Sequence, residues 1–352
     1  MTLEKDEPFD EIRHIFEPVI TKAIEAKSPA DLPRLIEILK VVNKEDPGIR
    51  VEINEETGEH LISGMGELHL EVIENRIRSE KGLDVTTSPP IVVYRETVTK
   101  LSPEVEGKSP NKHNKFYFKV EPMNNDILDL IKKGDIPEGR VKRKDLEMRD
   151  KLIATGMDSK LADRVKDVYE GNMMVDATRG IVHIGEIMEL LLDMFEEVMR
   201  KGPIAREPGF RVMVTLLDAK LHEDAIHRGP SQVYPAVRDG IRTAMMNARP
   251  LLFEPVQTLL FEAPEENMGE ISKLVSNKRG QLIDMKQEGA QVQVTAKMPV
   301  AEMFGLSNEL RSSTGGRGTS SLIDQTYEKL PEELQQKIIT QIRNRKGLSE
   351  NQ

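Results

Sequence analysis

The sequence predicts an α+β protein in which two ferredoxin-like split βαβ domains flank a central α+β domain with a basic tip. Residues 17–87 and residues 259–325 each show the order strand, helix, strand, strand, helix, strand. The long segment between them carries alternating apolar strands and a strongly amphipathic helix. The predicted domains are 1–94, 95–250 and 251–330, followed by a C-terminal helical tail over 331–352.

The first ferredoxin-like domain is predicted from the spacing of its apolar residues. A helix starts at Leu32 because apolar residues recur three and four positions apart as far as Val42. The predicted elements are a strand over 17–27, this helix, strands over 49–54 and 60–63 joined by the turn Glu55–Gly58, a helix ending at Lys81-Gly82, and a strand over 83–87. The second helix is expected to turn four apolar side chains inward: Leu68, Val72, Ile73 and Ile77.

The second ferredoxin-like domain repeats that order without residue-by-residue identity. Its predicted elements are a strand over 259–263, a helix over 268–277, strands over 281–287 and 291–297, a helix over 300–312 and a strand over 319–325. The tail is predicted to be one amphipathic helix with Leu334, Ile338 and Ile342 facing inward. It ends in the basic run Arg343–Gly347.

The central domain is less regular. Its predicted elements are strands over 91–99 and 115–121 separated by a loop over 102–114, a charged and helical surface segment over 124–170, a helix over 182–201, a strand over 209–221 and a helix over 233–249. Gly229-Pro230 marks the connection after the last strand as a loop. Two loops, 107–115 and 222–231, therefore leave strands of the same domain and are predicted to form its tip.

Composition excludes several classes of protein. The net charge of −10 means that contact with nucleic acid has to come from a local basic patch. Cysteine is absent, which excludes disulfides, thiolate zinc sites and a cysteine nucleophile. No apolar run approaches the roughly 20 residues needed to cross a bilayer, and the charged start Met1–Glu7 is not a signal peptide. We therefore expect a cytoplasmic protein without a membrane partner.

Gly107-Lys108-Ser109 is similar to the end of a phosphate-binding P-loop. That motif requires a glycine five residues before the Gly-Lys pair, where this chain has Ser102, and a strand-to-helix context that is absent from the sequence pattern. The sequence therefore predicts no nucleotide-binding domain.

His222 and His227 suggest a zinc site, because metalloprotease helices carry two histidines four residues apart. Here the spacing is five residues, which on a helix separates the side chains by roughly 140° at about 100° per residue. Gly229-Pro230 also argues against a helix. A metal-dependent hydrolase remains an alternative that stoichiometric zinc in purified protein would support, but we expect no metal and no catalytic residues.

A run of positive charge lies in the first tip loop. No acidic residue occurs from Gly107 to Val120, and the run contains four lysines and two asparagines. Lysine and asparagine suit contact with phosphate and sugar rather than readout of base sequence. The alternative is a solvated charged loop, which is the commoner role of such runs.

Four groups of motifs resemble the elongation factor 2 family, the ribosomal translocases of archaea and eukaryotes. Glu52–His60 with Ser63–Leu70 resembles the third domain of that family. Ser109–Asn114 and Asp224–Gly229 resemble two tip loops of its fourth domain, and Phe304–Gly305–Leu306 with Leu310–Gly316 resembles its fifth. Bacterial elongation factor G shares the architecture but lacks the loop that ends in His227-Arg228-Gly229.

The resemblance implies roles for the tip. His227 lies where the family converts a histidine to diphthamide, which makes the diphthamide-synthesis enzymes partners of the chain. The other expected partners are both ribosomal subunits and the tRNA and mRNA in the decoding site. The residues expected to contact RNA are Lys108, Asn111, Lys112, His113, Asn114, Lys115, Asp224, Arg228 and Gly229. Gly229–Gln232, where eukaryotic members carry a run of glycines, points to the archaeal branch.

The family's GTPase domain and the β-barrel after it lie N-terminal to these motifs and are absent from this sequence. The resemblance therefore implies that GTP and Mg²⁺ bind outside this chain, that the missing GTPase domain is a partner, and that the chain holds no cofactor of its own. We expect a monomer that is a fragment or a truncated gene product. A free-standing RNA-binding or ribosome-associated module without a GTPase is the alternative, which an upstream coding region with a P-loop would exclude.

Overall fold

The structure, a computed structural model, describes residues 16–53, 59–141 and 145–348. The chain divides into two compact units. Unit 1 comprises Met1–Val93 and Glu254–Glu328, and unit 2 comprises Tyr94–Phe253 and Lys329–Gln352. None of the helices in the described ranges has both the length and the apolar composition required to cross a bilayer. The division into three domains remains a prediction.

The first part of unit 1 is a ferredoxin-like sheet with two helices. Its elements are β1 (Ile20–Ala26), α1 (Leu32–Glu45), β2 (Arg50–Ile53), β3 (His60–Gly64), α2 (Glu67–Ser79), β4 (Val85–Thr87) and β5 (Ile91–Val92). The strand order is β2-β3-β1-β4, and β5 adds a second, short pairing to β1. This confirms the predicted order of elements. The predicted turn Glu55–Gly58 lies outside the described residues.

Helix α2 buries two of the four side chains predicted to face inward, Ile73 and Ile77. Leu70, Ile73 and Ile77 are its buried apolar residues. Leu68 and Val72 are 55% and 49% exposed, so their predicted inward orientation is wrong. At about 100° per residue, each of these two side chains lies roughly 200° from Leu70, on the opposite side of the helix.

Unit 2 contains a six-stranded mixed sheet. The elements in this part of the chain are β6 (Arg95–Val98), β7 (Val105–Lys108), β8 (Lys115–Pro122), α3 (Asn125–Lys132), β9 (Gly139–Arg140), α4 (Leu146–Ala154), α5 (Ser159–Ala162), β10 (Val165–Tyr169), β11 (Asn172–Asp176), α6 (Ile184–Arg200), β12 (Val212–Lys220) and α7 (Pro230–Asn247). The strand order is β7-β8-β12-β11-β10-β9, and β11 and β12 are parallel. Helix α6 is the crossover between those parallel strands.

The structure corrects three predictions in this region. The segment 124–170 is not only a helical excursion, because β9 and β10 extend the sheet. The predicted loop over 102–114 contains β7. The predicted strand over 91–99 is divided into β5 and β6. Helices α6 and α7 confirm the two long helical predictions.

Helix α7 packs closely on β7 and β8 because two glycines face each other. A Cβ atom added to Gly107 would lie 2.2 Å from the Ala236 carbonyl oxygen, and one added to Gly240 would lie 2.7 Å from the Phe118 ring. Phe116 and Phe118 are fully buried in the same core. The absence of side chains at these two glycines allows the helix to support the strands that lead to the tip.

The remaining part of unit 1, Glu254–Glu328, forms most of a second ferredoxin-like sheet. The elements are β13 (Pro250–Pro264), α8 (Met268–Asn277), β14 (Gln281–Glu288), β15 (Gln291–Pro299), α9 (Leu306–Ser313) and β16 (Thr319–Lys329). The strand order is β14-β15-β13-β16, which confirms the predicted repeat. The helix predicted over 300–312 is instead a 3₁₀ turn followed by α9, and Gly305 separates them with a left-handed φ of 74°.

The C-terminal helix α10 (Glu332–Arg345) belongs to unit 2. The Lys346 ammonium after it donates to the Ala205 and Arg206 carbonyls at 3.1 and 2.6 Å and pairs with Glu207 at 2.6 Å. Arg343 donates to the Ile204 carbonyl at 2.8 Å. The basic end of the tail is therefore bound within the protein.

Candidate nucleic-acid interface

Three loops meet at one edge of the six-stranded sheet. Lys115 begins β8 and pairs in register with Lys108, which ends β7, and with Lys220, which ends β12. Strand β11 runs parallel to β12, so its C-terminal end points to the same edge. We call loops 108–115, 177–183 and 221–229 together the tip. The two loops predicted to lie together do so, and the loop 177–183 was not predicted from the sequence.

Asn114 joins the two predicted loops. Its side-chain Nδ2 donates to the His227 carbonyl at 2.7 Å, and its Oδ1 accepts the His222 N–H at 3.0 Å. The backbone N–H of Asn111 adds a third link by donating to Gln232 Oε1 at 3.0 Å. Asn114 is fully buried. The prediction that its side chain contacts RNA is therefore corrected: both ends of the amide are used to hold the loops together.

The first loop is a tight turn that displays two side chains. Ser109 Oγ donates to Asn111 Oδ1 at 2.6 Å and accepts the Asn114 N–H at 2.9 Å. Lys112 adopts a left-handed backbone with φ of 64°. Lys112 and His113 are exposed, whereas Asn111 is half-buried. The loop therefore presents one cation and one imidazole at its end.

Arg228 supports the tip from within. Its Nη1 donates to the Glu223 carbonyl at 2.6 Å and also to the His222 carbonyl, while its Nη2 pairs with Glu186 at 2.5 Å. Only 4% of its side chain is exposed. The expectation that this guanidinium faces RNA is corrected, because the guanidinium is enclosed and bonded to the loop that carries it.

Glu186 connects Arg228 to the third loop. It also accepts a hydrogen bond from His183 Nδ1 at 2.5 Å, and these two partners lower the pKa of the Glu186 carboxyl, His183 first. His183 has a left-handed φ of 68°, and the preceding Val182 is 70% exposed. Gly180, a break between two apolar runs of sequence, was the signal that could have identified this loop.

Three imidazole rings are grouped at the tip. The ring centroids of His113, His222 and His227 are separated by 4.8, 5.1 and 4.5 Å. His222 Nδ1 accepts the Asp224 N–H at 3.1 Å. In the described part of the chain, no group of three or more metal-ligating side chains is arranged to hold a metal ion.

The turn that carries His227 is a single 3₁₀ turn, Ala225–Arg228. Asp224 caps it by accepting the Ile226 N–H at 3.0 Å, and Gly229 forms the N-cap of α7. Ile226 is 78% exposed, and the His227 ring beside it is half-buried. Asp224 and Gly229, both expected to contact RNA, thus also shape the turn.

The lysines of the tip differ in how strongly they are paired. Lys115 lies 3.0 Å from Glu106, and this hydrogen bond raises the pKa of Lys115 and lowers that of Glu106. Lys108 and Lys112 are exposed, and so is Lys220, which the sequence analysis missed. Lys220 is the last residue of the alternating strand β12, and this position beside the second predicted loop could have identified it as a residue of the site. Within the described residues, the unpaired positive charge at and beside the two predicted loops is thus carried mainly by Lys108, Lys112 and Lys220.

Family models match most of the chain. The model described as Elongation Factor G, domain III matches residues 15–89, and that described as Elongation factor G, domain IV matches residues 134–249. The model described as Elongation factor G C-terminus matches residues 251–350.

Curated proteins named elongation factor 2 are similar over almost the whole chain. The one from Pyrococcus horikoshii is 52% identical over 348 residues, which is 99% of this chain and 47% of that protein. The one from Methanocaldococcus jannaschii is 54% identical over 344 residues, 97% of this chain and 47% of that protein. The chain spans about half the length of the curated relatives it matches.

Proposed function

The chain belongs to the elongation factor 2 family of translation factors, and on that basis we propose that it is the ribosome-engaging part of a translocase. In this proposal the tip enters the decoding site of the small subunit while tRNA and mRNA move. The two ferredoxin-like sheets transmit a GTP-driven rearrangement to the domain that carries the tip. Both ribosomal subunits, tRNA and mRNA are the partners, and the protein acts as a monomer in the cytoplasm.

The build of the tip supports this proposal. Loops distant in sequence are joined through buried Asn114 and Arg228, so the exposed Lys108, Lys112 and His113 project from a supported base. A translocase has to act on every codon, so its contacts have to ignore base sequence. Lysine contacts to phosphate and contacts to the 2′-hydroxyl meet that requirement.

We propose that His227 is the residue modified to diphthamide. Its backbone carbonyl is held by Asn114, and its ring lies on a capped turn between exposed Ile226 and buried Arg228. A side chain in that position is accessible to modifying enzymes without unfolding of the helix that follows. The diphthamide-synthesis enzymes are accordingly proposed as partners.

We place GTP and Mg²⁺ binding, and the hydrolysis of GTP, outside these 352 residues. The sequence carries no complete P-loop, because Ser102 stands where the motif needs glycine. In the proposal this chain has no catalytic residue and binds no cofactor of its own. The chain acts by contacting the ribosome and by moving its tip, and a GTPase domain is the partner that drives this movement.

The test replaces the matching half of Pyrococcus horikoshii elongation factor 2 with this chain and measures single-round translocation. Changing Lys108 and Lys112 to Ala should slow translocation about fivefold or more, because about 1 kcal/mol of lost contact corresponds to that factor. Changing Lys132 and Lys133, exposed lysines on and just after α3, to Ala removes the same charge and should leave the rate unchanged.

Equal rates for the tip variant and its control would contradict the proposed role of the tip. The alternative, a free-standing RNA-binding module, predicts a different outcome. In that case the isolated chain binds ribosomes as tightly as the chimaera does, and the chimaera supports no translocation.

A further inference from the structure

Unit 2 has a basic cleft beside the tip, and part of its lining belongs to the tip loop that follows β11. The cleft has a volume of about 600 Å³ and lies between α5, β10 and the loop that follows β11. Four cationic side chains line it: Lys160, Arg164, Lys166 and Arg179. Two carboxylates, Asp163 and Asp176, also line it. In a chain of net charge −10, this is a local excess of positive charge.

The two carboxylates of the cleft already have partners. Asp176 Oδ1 accepts the Thr178 N–H at 3.1 Å and the Thr178 hydroxyl at 2.6 Å. Asp163 lies 3.8 Å from Arg149. Within the ranges that the structure describes, none of the four cations of the cleft forms an ion pair. Their positive charge is therefore available to a ligand.

Hydrogen bonds within the protein preorganise the wall of the cleft. Arg164 Nη1 donates to the carbonyls of Asp176 and Thr178, and the Asp176 N–H donates to the Arg164 carbonyl at 3.0 Å. These bonds hold the loop after β11 against the start of β10. Arg179 is exposed on that loop, and the loop continues to Val182 and His183 of the tip. The cleft and the tip thus share one segment of chain.

We propose that this cleft binds the phosphate backbone of a single RNA strand that also passes the tip. Lysine and arginine without a carboxylate partner are the groups that bind phosphate, and arginine can do so with two parallel hydrogen bonds. Among the residues that the structure describes, no aromatic side chain lines the cleft, so we expect contact with the backbone rather than with stacked bases. The proposal rests on the proposed function, because it treats the cleft as an extension of the RNA path at the tip.

The experiment measures binding of the whole chain to a fluorescein-labelled single-stranded 12-nucleotide RNA of mixed sequence, by anisotropy at several salt concentrations. Changing Lys160, Lys166 and Arg179 together to Ala should weaken binding at low salt by tenfold or more. It should also reduce the slope of log K against log salt by about 2, because each neutralised phosphate contributes about 0.7 for a single strand. Arg164 is left intact because it holds the wall.

The control changes Lys100, Lys132 and Lys133 to Ala, three exposed lysines of the same unit outside the cleft. It alters the net charge equally and should leave the slope unchanged. Thermal unfolding of both triple variants shows whether either loss of binding comes from loss of structure. If the cleft variant has the same salt slope as the control variant, the proposal is overturned. It is also overturned if oligoglutamate of the same length displaces the RNA at an equal concentration, because the cleft would then bind acidic protein.

The outcomes at the cleft and at the tip can be told apart. If the Lys108 and Lys112 variant slows translocation while the cleft variant binds RNA like its control, the cleft proposal fails and the proposed function stands. If the cleft variant loses RNA binding while the tip variant translocates normally, the cleft stands and the proposed role of the tip fails.

Discussion

The three imidazoles of the tip have different surroundings, although their ring centroids lie within 5.1 Å of one another. His222 is fixed through its Nδ1 atom by the Asp224 N–H. His113 is exposed on the first loop. His227 follows exposed Ile226 and precedes the enclosed Arg228, so its backbone is held while part of its ring remains accessible. Within the described residues the His227 ring forms no hydrogen bond, unlike that of His222, and its backbone carbonyl is held by buried Asn114, unlike that of His113.

That difference predicts which histidine is modified in cells of the source organism. Trypsin cleavage after Lys220 and Arg228 releases Leu221–Arg228, one peptide that contains both His222 and His227. Mass spectrometry should find the added mass of diphthamide on this peptide, and fragment ions should place it on His227. The same peptide from a host without the modifying enzymes provides the unmodified reference. Added mass on His222, or none in cells of the source organism, would contradict the assignment.

Buried polar residues set the shape of the tip. Asn114 and Arg228 each bond to backbone groups of the loop 221–229, and a buried polar group that lost its partner would cost about 1–3 kcal/mol. Their replacement should therefore disturb the tip through its geometry. For this reason the tests of RNA contact use the exposed lysines.

At the scale of elements, the close packing of α7 on β7 and β8 supports the strands that lead to the tip. Changing Gly240 to Ala should lower the free energy of unfolding, because the new Cβ would lie 2.7 Å from the Phe118 ring and 3.1 Å from Gly107 Cα. Overpacking costs about 1–3 kcal/mol, and the gain in helix propensity offsets at most roughly 1 kcal/mol of that cost. Urea unfolding measures the difference.

The matched control for that substitution is Gly269→Ala in α8. A Cβ atom there would meet nothing within 4 Å, so the change should be neutral or stabilise by up to about 1 kcal/mol. If Gly240→Ala is as stable as Gly269→Ala, close packing of α7 is not what supports the strands of the tip.

The spacing of apolar residues predicted those elements whose structure depends mainly on residues nearby in the sequence. The helix over 268–277 agrees with α8 in both bounds, and the two ferredoxin-like orders are confirmed. Strand β7 was missed because it is only four residues long and alternates within a charged run. The burial of Arg228 could not be predicted from sequence, because its partner Glu186 lies 42 residues away and reaches it only through the parallel β11–α6–β12 crossover.

The whole molecule combines a net charge of −10 with positive charge concentrated at the tip and in the cleft. An overall acidic protein is repelled by RNA at long range, and such repulsion falls as salt screens it. In the proposed function, productive binding therefore depends on the orientation that brings the basic groups to the RNA. This combination favours an ordered docking surface over non-specific association with nucleic acid.

The stability of the chain should also depend on pH through a buried carboxyl that takes no part in RNA contact. Asp167 in β10 is fully buried, and burial, followed by the nearby Glu196, raises its pKa from 3.8 to about 7. Between those values the native state keeps a proton that the unfolded chain releases. Stability contributed by this group is therefore present at low pH and is lost as pH rises through about 7.

Changing Asp167 to Asn keeps the shape of the side chain and removes its titration. Thermal unfolding at pH 5, 6, 7 and 8 should show a smaller fall in midpoint with rising pH for the variant than for the unchanged chain. At pH 8 the variant should be the more stable of the two, because the unchanged chain then holds a buried carboxylate at the cost of its desolvation. Parallel curves, or a variant less stable at pH 8, would show that Asp167 is ionised at little cost in the folded protein.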